Sequence, residues 1–102
     1  MKIYPLVTPK IVWQPDNWAN ACEFIGGDLT NVQITGNQCG GKCASTNGCT
    51  HFTWTTYLGG TCWMKTGSVT QLDAFYTGDN SMVCGITSGM VYLTVQLINN
   101  LI

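Results

Sequence analysis

From Trp18 to Phe24 apolar and polar residues alternate, with Cys22 and Phe24 on the apolar side, and the stretch predicts a β-strand. Ile11-Val-Trp-Gln14 before it predicts a shorter strand, separated by a Pro15-Asp16-Asn17 turn. Gly26-Gly27-Asp28 breaks the second strand, and Leu29 to Ile34 predicts a weaker extended stretch. Thr50 to Tyr57 is rich in β-branched and aromatic residues. With Leu58-Gly59-Gly60 as turn and Thr61 to Lys65 as return strand, it predicts a hairpin. Period-two alternation puts Phe52 and Trp54 on one face, with His51, Thr53, Thr55 and Tyr57 on the other. On the return strand Cys62 and Met64 share a face, and Trp63 and Lys65 point away. Ser81 to Gly85 predicts a closing strand. The tail from Ile86 to Ile102 alternates again (Val91, Leu93, Val95, Leu97). It reads either as an added strand covering a sheet edge or as a stretch foreign to the domain, with the second favoured.

One segment departs from period two. Thr35-Gly-Asn-Gln38 has the spacing of a capping box, with Thr at the cap and Gln three residues later. A short helix is expected from there to about Thr46, stopped by Asn47-Gly48. Gly40 and Gly41 lie inside it and each costs about 1 kcal/mol relative to Ala, so the helix needs external support. Cys39 and Cys43, four apart, project from the same helix face. Bridges from that face would pin the helix onto the hairpin.

Composition narrows the class. The chain has 102 residues, enough for one domain with a modest core. It is 45% hydrophobic and 9% charged, which excludes a disordered chain. Net charge is -1, there is no Arg, and the four lysines (Lys2, Lys10, Lys42, Lys65) are scattered. Nucleic-acid binding and a polybasic membrane patch are thereby excluded. No stretch is long enough to span a bilayer, and no Asn-x-Ser/Thr sequon occurs. Six cysteines in so short a chain read as a disulfide framework, which places the protein in an extracellular or secretory compartment. Pro5, Pro9 and Lys10 interrupt the N-terminal apolar run, so an export signal is not expected within these residues. The chain reads as a fragment, or as one that has lost its leader.

Candidate chemistry is sparse. His51 is the single histidine, on a predicted strand without a converging nucleophile and acid, and reads as a surface or half-buried residue. The carboxylates Asp16, Glu23, Asp28, Asp73 and Asp79 are dispersed; Asp16, Asp28 and Asp79 suit turns. No catalytic residue, metal ligand or cofactor is therefore expected. A zinc site from Cys39, Cys43, Cys49 and His51 lacks the usual Cys-x2-Cys knuckle and strands the other cysteines.

Cys39-Gly-Gly-Lys-Cys43, Cys49-Thr-His-Phe-Thr-Trp54 and Gly60-Thr-Cys-Trp-Met-Lys65, flanked by Trp18 to Phe24 and Met82 to Gly85, resemble the PAN/apple family in its six-cysteine version. The resemblance covers roughly Trp13 to Ile86. It implies an α+β fold: a small, disulfide-rich antiparallel sheet with one short helix packed across it. Among the many pairings that six cysteines permit, it implies Cys22–Cys84, Cys39–Cys62 and Cys43–Cys49. It divides the chain into an extension (1–12), the domain (13–86) and an apolar tail (87–102). It also implies a non-enzymatic, secreted recognition module whose partner is a glycan or an extracellular protein. A sugar ligand would stack on exposed aromatic rings and bond to neighbouring polar groups. Trp63, Tyr57 and Trp18 are the aromatic candidates, with Asn17, Thr55 and Lys65 as polar company. Phe52 and Trp54 are assigned to the core. Protein adhesion and a purely structural role in a larger secreted protein are the alternatives.

Overall fold

A computed structural model describes residues 10–87. The alternation at residues 91–97 and most of the proposed extension lie outside the described residues. The elements are β1 (Trp18–Asn20), β2 (Cys22–Glu23), β3 (Asp28–Gln33), α1 (Gly36–Ala44), β4 (His51–Thr55), β5 (Thr61–Lys65), β6 (Phe75–Tyr76) and β7 (Val83–Ile86). Five strands form one antiparallel sheet in the order β1-β7-β4-β5-β3, and β2 pairs with β6 in a second, two-stranded sheet. The fold is α+β, as expected.

The central hairpin sets the two faces. Its register pairs Phe52 with Met64 and Trp54 with Cys62. Phe52, Cys62 and Met64 are buried together with Cys39 and Cys43 of α1. The opposite face packs Ala19, Cys22, Phe24, Cys84 and Ile86 into a second cluster, with Ile11, Trp13, Val69 and Ala74 against it. The three disulfides are Cys22–Cys84, Cys39–Cys62 and Cys43–Cys49, and they take up all six sulfurs. Two of them fix the helix, one to β5 and one to the turn that follows it. The third lies in the other cluster, so each face of the sheet carries its own staple. The bare face of Gly36 admits the ring of Trp54 at close range, since an added Cβ would stand 3.3 Å from it. Glycine there favours close helix–sheet packing over helix propensity.

Four expectations change. Ile11 to Gln14 forms no strand; its tie to the sheet is a hydrogen bond from Gln14 N–H to Trp18 O, across the turn. The strand expected from Trp18 to Phe24 is broken at Ala21, which has a left-handed backbone (φ 58°). There the chain leaves the large sheet and enters the small one; Ala21 N–H donates to Met82 O, and Ala21 O accepts from Thr77 N–H. Thr35 stands at the helix N-cap, but the capping box does not form. Its hydroxyl bonds to the side-chain oxygens of Asn37 and Gln38 instead of accepting a backbone N–H. A capping box occurs elsewhere, where Thr70 and Asp73 close the short 3-10 turn Gln71–Asp73. Finally, α1 stops at Ala44 rather than Thr46. The hydroxyls of Ser45 and Thr46 both donate to Lys42 O, and the Cys43–Cys49 bridge turns the chain back toward β4.

Candidate functional site

Trp63 lies on β5, on the face away from the helix, between Thr53 of β4 and Asn31 of β3. Its indole N–H donates to Thr55 Oγ1 at 2.9 Å, which fixes the ring plane. Tyr57 sits in the 3-10 turn Tyr57–Gly59 that joins β4 to β5. The Thr61 hydroxyl donates to Tyr57 O at 2.7 Å and braces that turn. The two rings meet at a centroid distance of 5.8 Å, tilted by 37°. Tyr57 is 58% exposed and Trp63 half-buried, so together they offer a pinned aromatic step with one side in water.

Beside this step lies a shallow cleft of about 430 Å³, with Phe24, Ile25 and Gly26 on one wall and Glu23, Asp28, Thr53, Thr55 and Lys65 among its lining. Lys65 is itself buried. Its ammonium donates to Gly26 O at 3.1 Å and forms an ion pair with Asp28, whose side chain stays 72% exposed. Asp28 therefore opens β3 as the partner of a buried lysine rather than serving the turn. A buried ammonium needs such partners to offset lost hydration.

His51, next to Lys65 across the hairpin, is more buried than expected, at 3% exposure. Its Nδ1 lies 2.8 Å from the Thr50 hydroxyl, and the Phe24 ring meets it edge-on at 5.0 Å. Burial, and then the Lys65 charge, hold its pKa below the ordinary value, with Asp73 pulling weakly the other way. The unfolded imidazole takes its proton near pH 6.5, and the folded one only at lower pH. This contribution to stability is thus complete above that range. It is lost as pH falls from there to the folded pKa, below which the loss levels off. Urea midpoints are expected to fall between pH 7.5 and pH 5, and the fall is expected to be smaller in His51→Gln. An equal fall in the variant would assign the pH dependence to other groups.

The six residues expected from the sequence divide between two places. Thr55, Tyr57, Trp63 and Lys65 come together at the aromatic step. Trp18 and Asn17 line a different cleft, of about 710 Å³, on the helix side. Its floor is Trp18, Phe52 and Val83, and α1 lends its small-residue edge, Gly36, Gly40, Gly41 and Ala44. Asn17 Oδ1 accepts from Gln71 Nε2 at 2.7 Å. The register Trp18↔Gly85, with Gly85↔Phe52 next to it, explains the separation, since it puts Trp18 on the Phe52 face of the sheet. Sequence reasoning missed Asp28, Glu23 and the Phe24–Gly26 wall. Their one legible signal was the Gly-Gly-Asp break, which marks where the chain turns over the sheet. With every cysteine sulfur in a disulfide, no thiolate is left for the zinc alternative. No group of three or more His, Cys, Asp or Glu side chains among the described residues could hold a metal ion. No helix among them is long and apolar enough to cross a membrane.

No curated protein matches the chain. A family model for the PAN domain matches residues 22–65, a span that runs from the first cysteine through the helix to the end of the central hairpin. PAN domains are binding modules for proteins and carbohydrates and are typically non-catalytic. This match, the three disulfides and the antiparallel sheets with the single helix among the described residues are together consistent with a PAN/apple-like domain.

Proposed function

We propose that this domain, spanning residues 13–86, is an extracellular, non-catalytic recognition module that binds a glycan on the Tyr57–Trp63 step. The observation that carries the reading is the Tyr57–Trp63 ring pair, the first ring exposed and the second held by its hydrogen bond to Thr55, beside a shallow cleft with polar side chains in its lining. A pyranose presents an apolar C–H face that stacks on such rings, and its hydroxyls need acceptors and donors close by. Thr55 and Asp28 stand at the cleft wall for this purpose. The disulfides suit an oxidising compartment. Trp63→Ala is expected to abolish saturable binding on a glycan array while circular dichroism stays native. Retained binding by a natively folded variant would sink the assignment of the step.

A second reading has its own observation. The helix-side cleft is the larger, and its floor is apolar (Trp18, Phe52, Val83). It suits a large apolar side chain of a protein partner. Competition separates the two readings, since free sugar displaces the ligand in the first case and not in the second.

A further inference from the structure

We infer that the Tyr57–Trp63 site takes an uncharged glycan and rejects acidic ones, and that Asp28 serves it as hydroxyl acceptor; this rests on the carbohydrate reading above. Three ionisable side chains line the cleft besides the Tyr57 phenol: Glu23, Asp28 and Lys65. The cation is already committed. Lys65 Nζ donates to Asp28 Oδ1 and Gly26 O, and its side chain is only 7% exposed. The other described lysines, Lys10 and Lys42, lie outside the cleft lining. A sulfate or carboxylate on a sugar would thus be desolvated against the rings with no uncommitted cation among the described residues of the cleft to receive it. It would also face the Glu23 carboxylate, which no lysine among the described residues pairs, whereas the charge of Asp28 is compensated by Lys65. Like charges set against each other in a contact disfavour the wrong partner strongly.

An uncharged pyranose meets the opposite situation. Asp28 is mostly exposed, and among the described residues only its Oδ1 is engaged, by Lys65. Its Oδ2 is open to a ligand. Lys65 holds the carboxylate in place from below, so the acceptor is oriented before the sugar arrives. A hydroxyl donating to an ionised, fixed carboxylate makes one of the stronger hydrogen bonds available to a neutral ligand. The lysine thus acts on the ligand through Asp28, not by direct contact.

The test uses the oxidised chain and pairs of oligosaccharides that differ only by a sulfate or a sialic acid, titrated at low salt. The uncharged member of each pair is expected to bind, with the acidic member at least about tenfold weaker. Added salt should narrow the gap as the charges are screened. Asp28→Asn keeps an acceptor for Lys65 Nζ; it is expected to weaken neutral-sugar binding about tenfold and to reduce the discrimination. Acidic glycans bound as well as neutral ones would overturn the charge selectivity while leaving carbohydrate binding in place. Unchanged affinity and discrimination in a natively folded Asp28→Asn would remove Asp28 from the site. A natively folded protein that retains neither class would remove the carbohydrate reading itself, and this inference with it.

Discussion

Replacing Cys22 and Cys84 together by alanine is expected to cost about 4 kcal/mol and to be the most damaging of the three disulfide deletions. The bridge closes a loop with a sequence separation of 62, against 23 for Cys39–Cys62 and 6 for Cys43–Cys49. The chain-entropy relation then puts the other two losses at about 3 and 2 kcal/mol. Packing adds to the loss here, as it does at Cys39–Cys62, whose cysteines are equally buried, so loop length ranks the two. Cys22 and Cys84 are fully buried in the cluster with Ala19, Phe24 and Ile86, and their removal leaves unfilled volume there. A domain of this size has a total stability of roughly 5–15 kcal/mol, so the Cys22/Cys84 variant should be the one closest to unfolding at 37 °C. Urea midpoints of the three double-alanine variants test the order. If the short Cys43–Cys49 deletion proved the worst, loop entropy would not be what ranks these bridges, and the anchoring of the helix C-terminus would take its place.

The hairpin and the helix were legible for a physical reason: their signals are local. Period-two alternation from Thr50 to Lys65 fixes which side chains share a face, and the register pairs them that way, Phe52 with Met64 and Thr53 with Trp63. The spacing of Cys39 and Cys43 likewise fixes one helix face, and both are buried on it. What escaped depends on distant residues. Ala21 carries no turn signal of its own, and its left-handed backbone is held by Met82 and Thr77, more than fifty residues on. Asp28 and Lys65 form an ion pair across β3 and β5, and nothing near either residue announces it. The same holds for the site. The parity of β5 placed Trp63 away from the helix, and Thr55 and Tyr57 joined it through the hairpin alone. Trp18 could be placed only once β7 was known to lie between β1 and β4. The capping box failed for a different reason. Thr35 has the right residue and spacing, but side-chain oxygens at Asn37 and Gln38 compete for its hydroxyl.

Gly85→Ala is expected to destabilise the domain by roughly 1–3 kcal/mol, although alanine is otherwise a small change. Gly85 lies in β7, next to the middle of the sheet, where it pairs with Phe52 on one side and Trp18 on the other. A Cβ at this position would stand 2.5 Å from Phe52 Cζ, 2.6 Å from Phe52 Cε1 and 3.2 Å from Trp18 Cβ. The backbone of Gly85 is not left-handed, so the cost arises from packing and not from conformation. On its other side the same ring faces Gly40 of the helix, where an added Cβ would make only ordinary contact at 3.5 Å. The edge of the ring thus lies near the bare backbone of both glycines, with the tight approach at Gly85. Coupling between positions 52 and 85 follows from this arrangement. Phe52→Leu alone loses buried area and costs stability, but it also frees the space that the methyl group introduced by Gly85→Ala would need. The loss in the double variant should be smaller than the sum of the two single losses, by about 0.5 kcal/mol or more. Strictly additive losses would show that Gly85 makes room for something other than Phe52, and the packing account of Gly85 would fail with it.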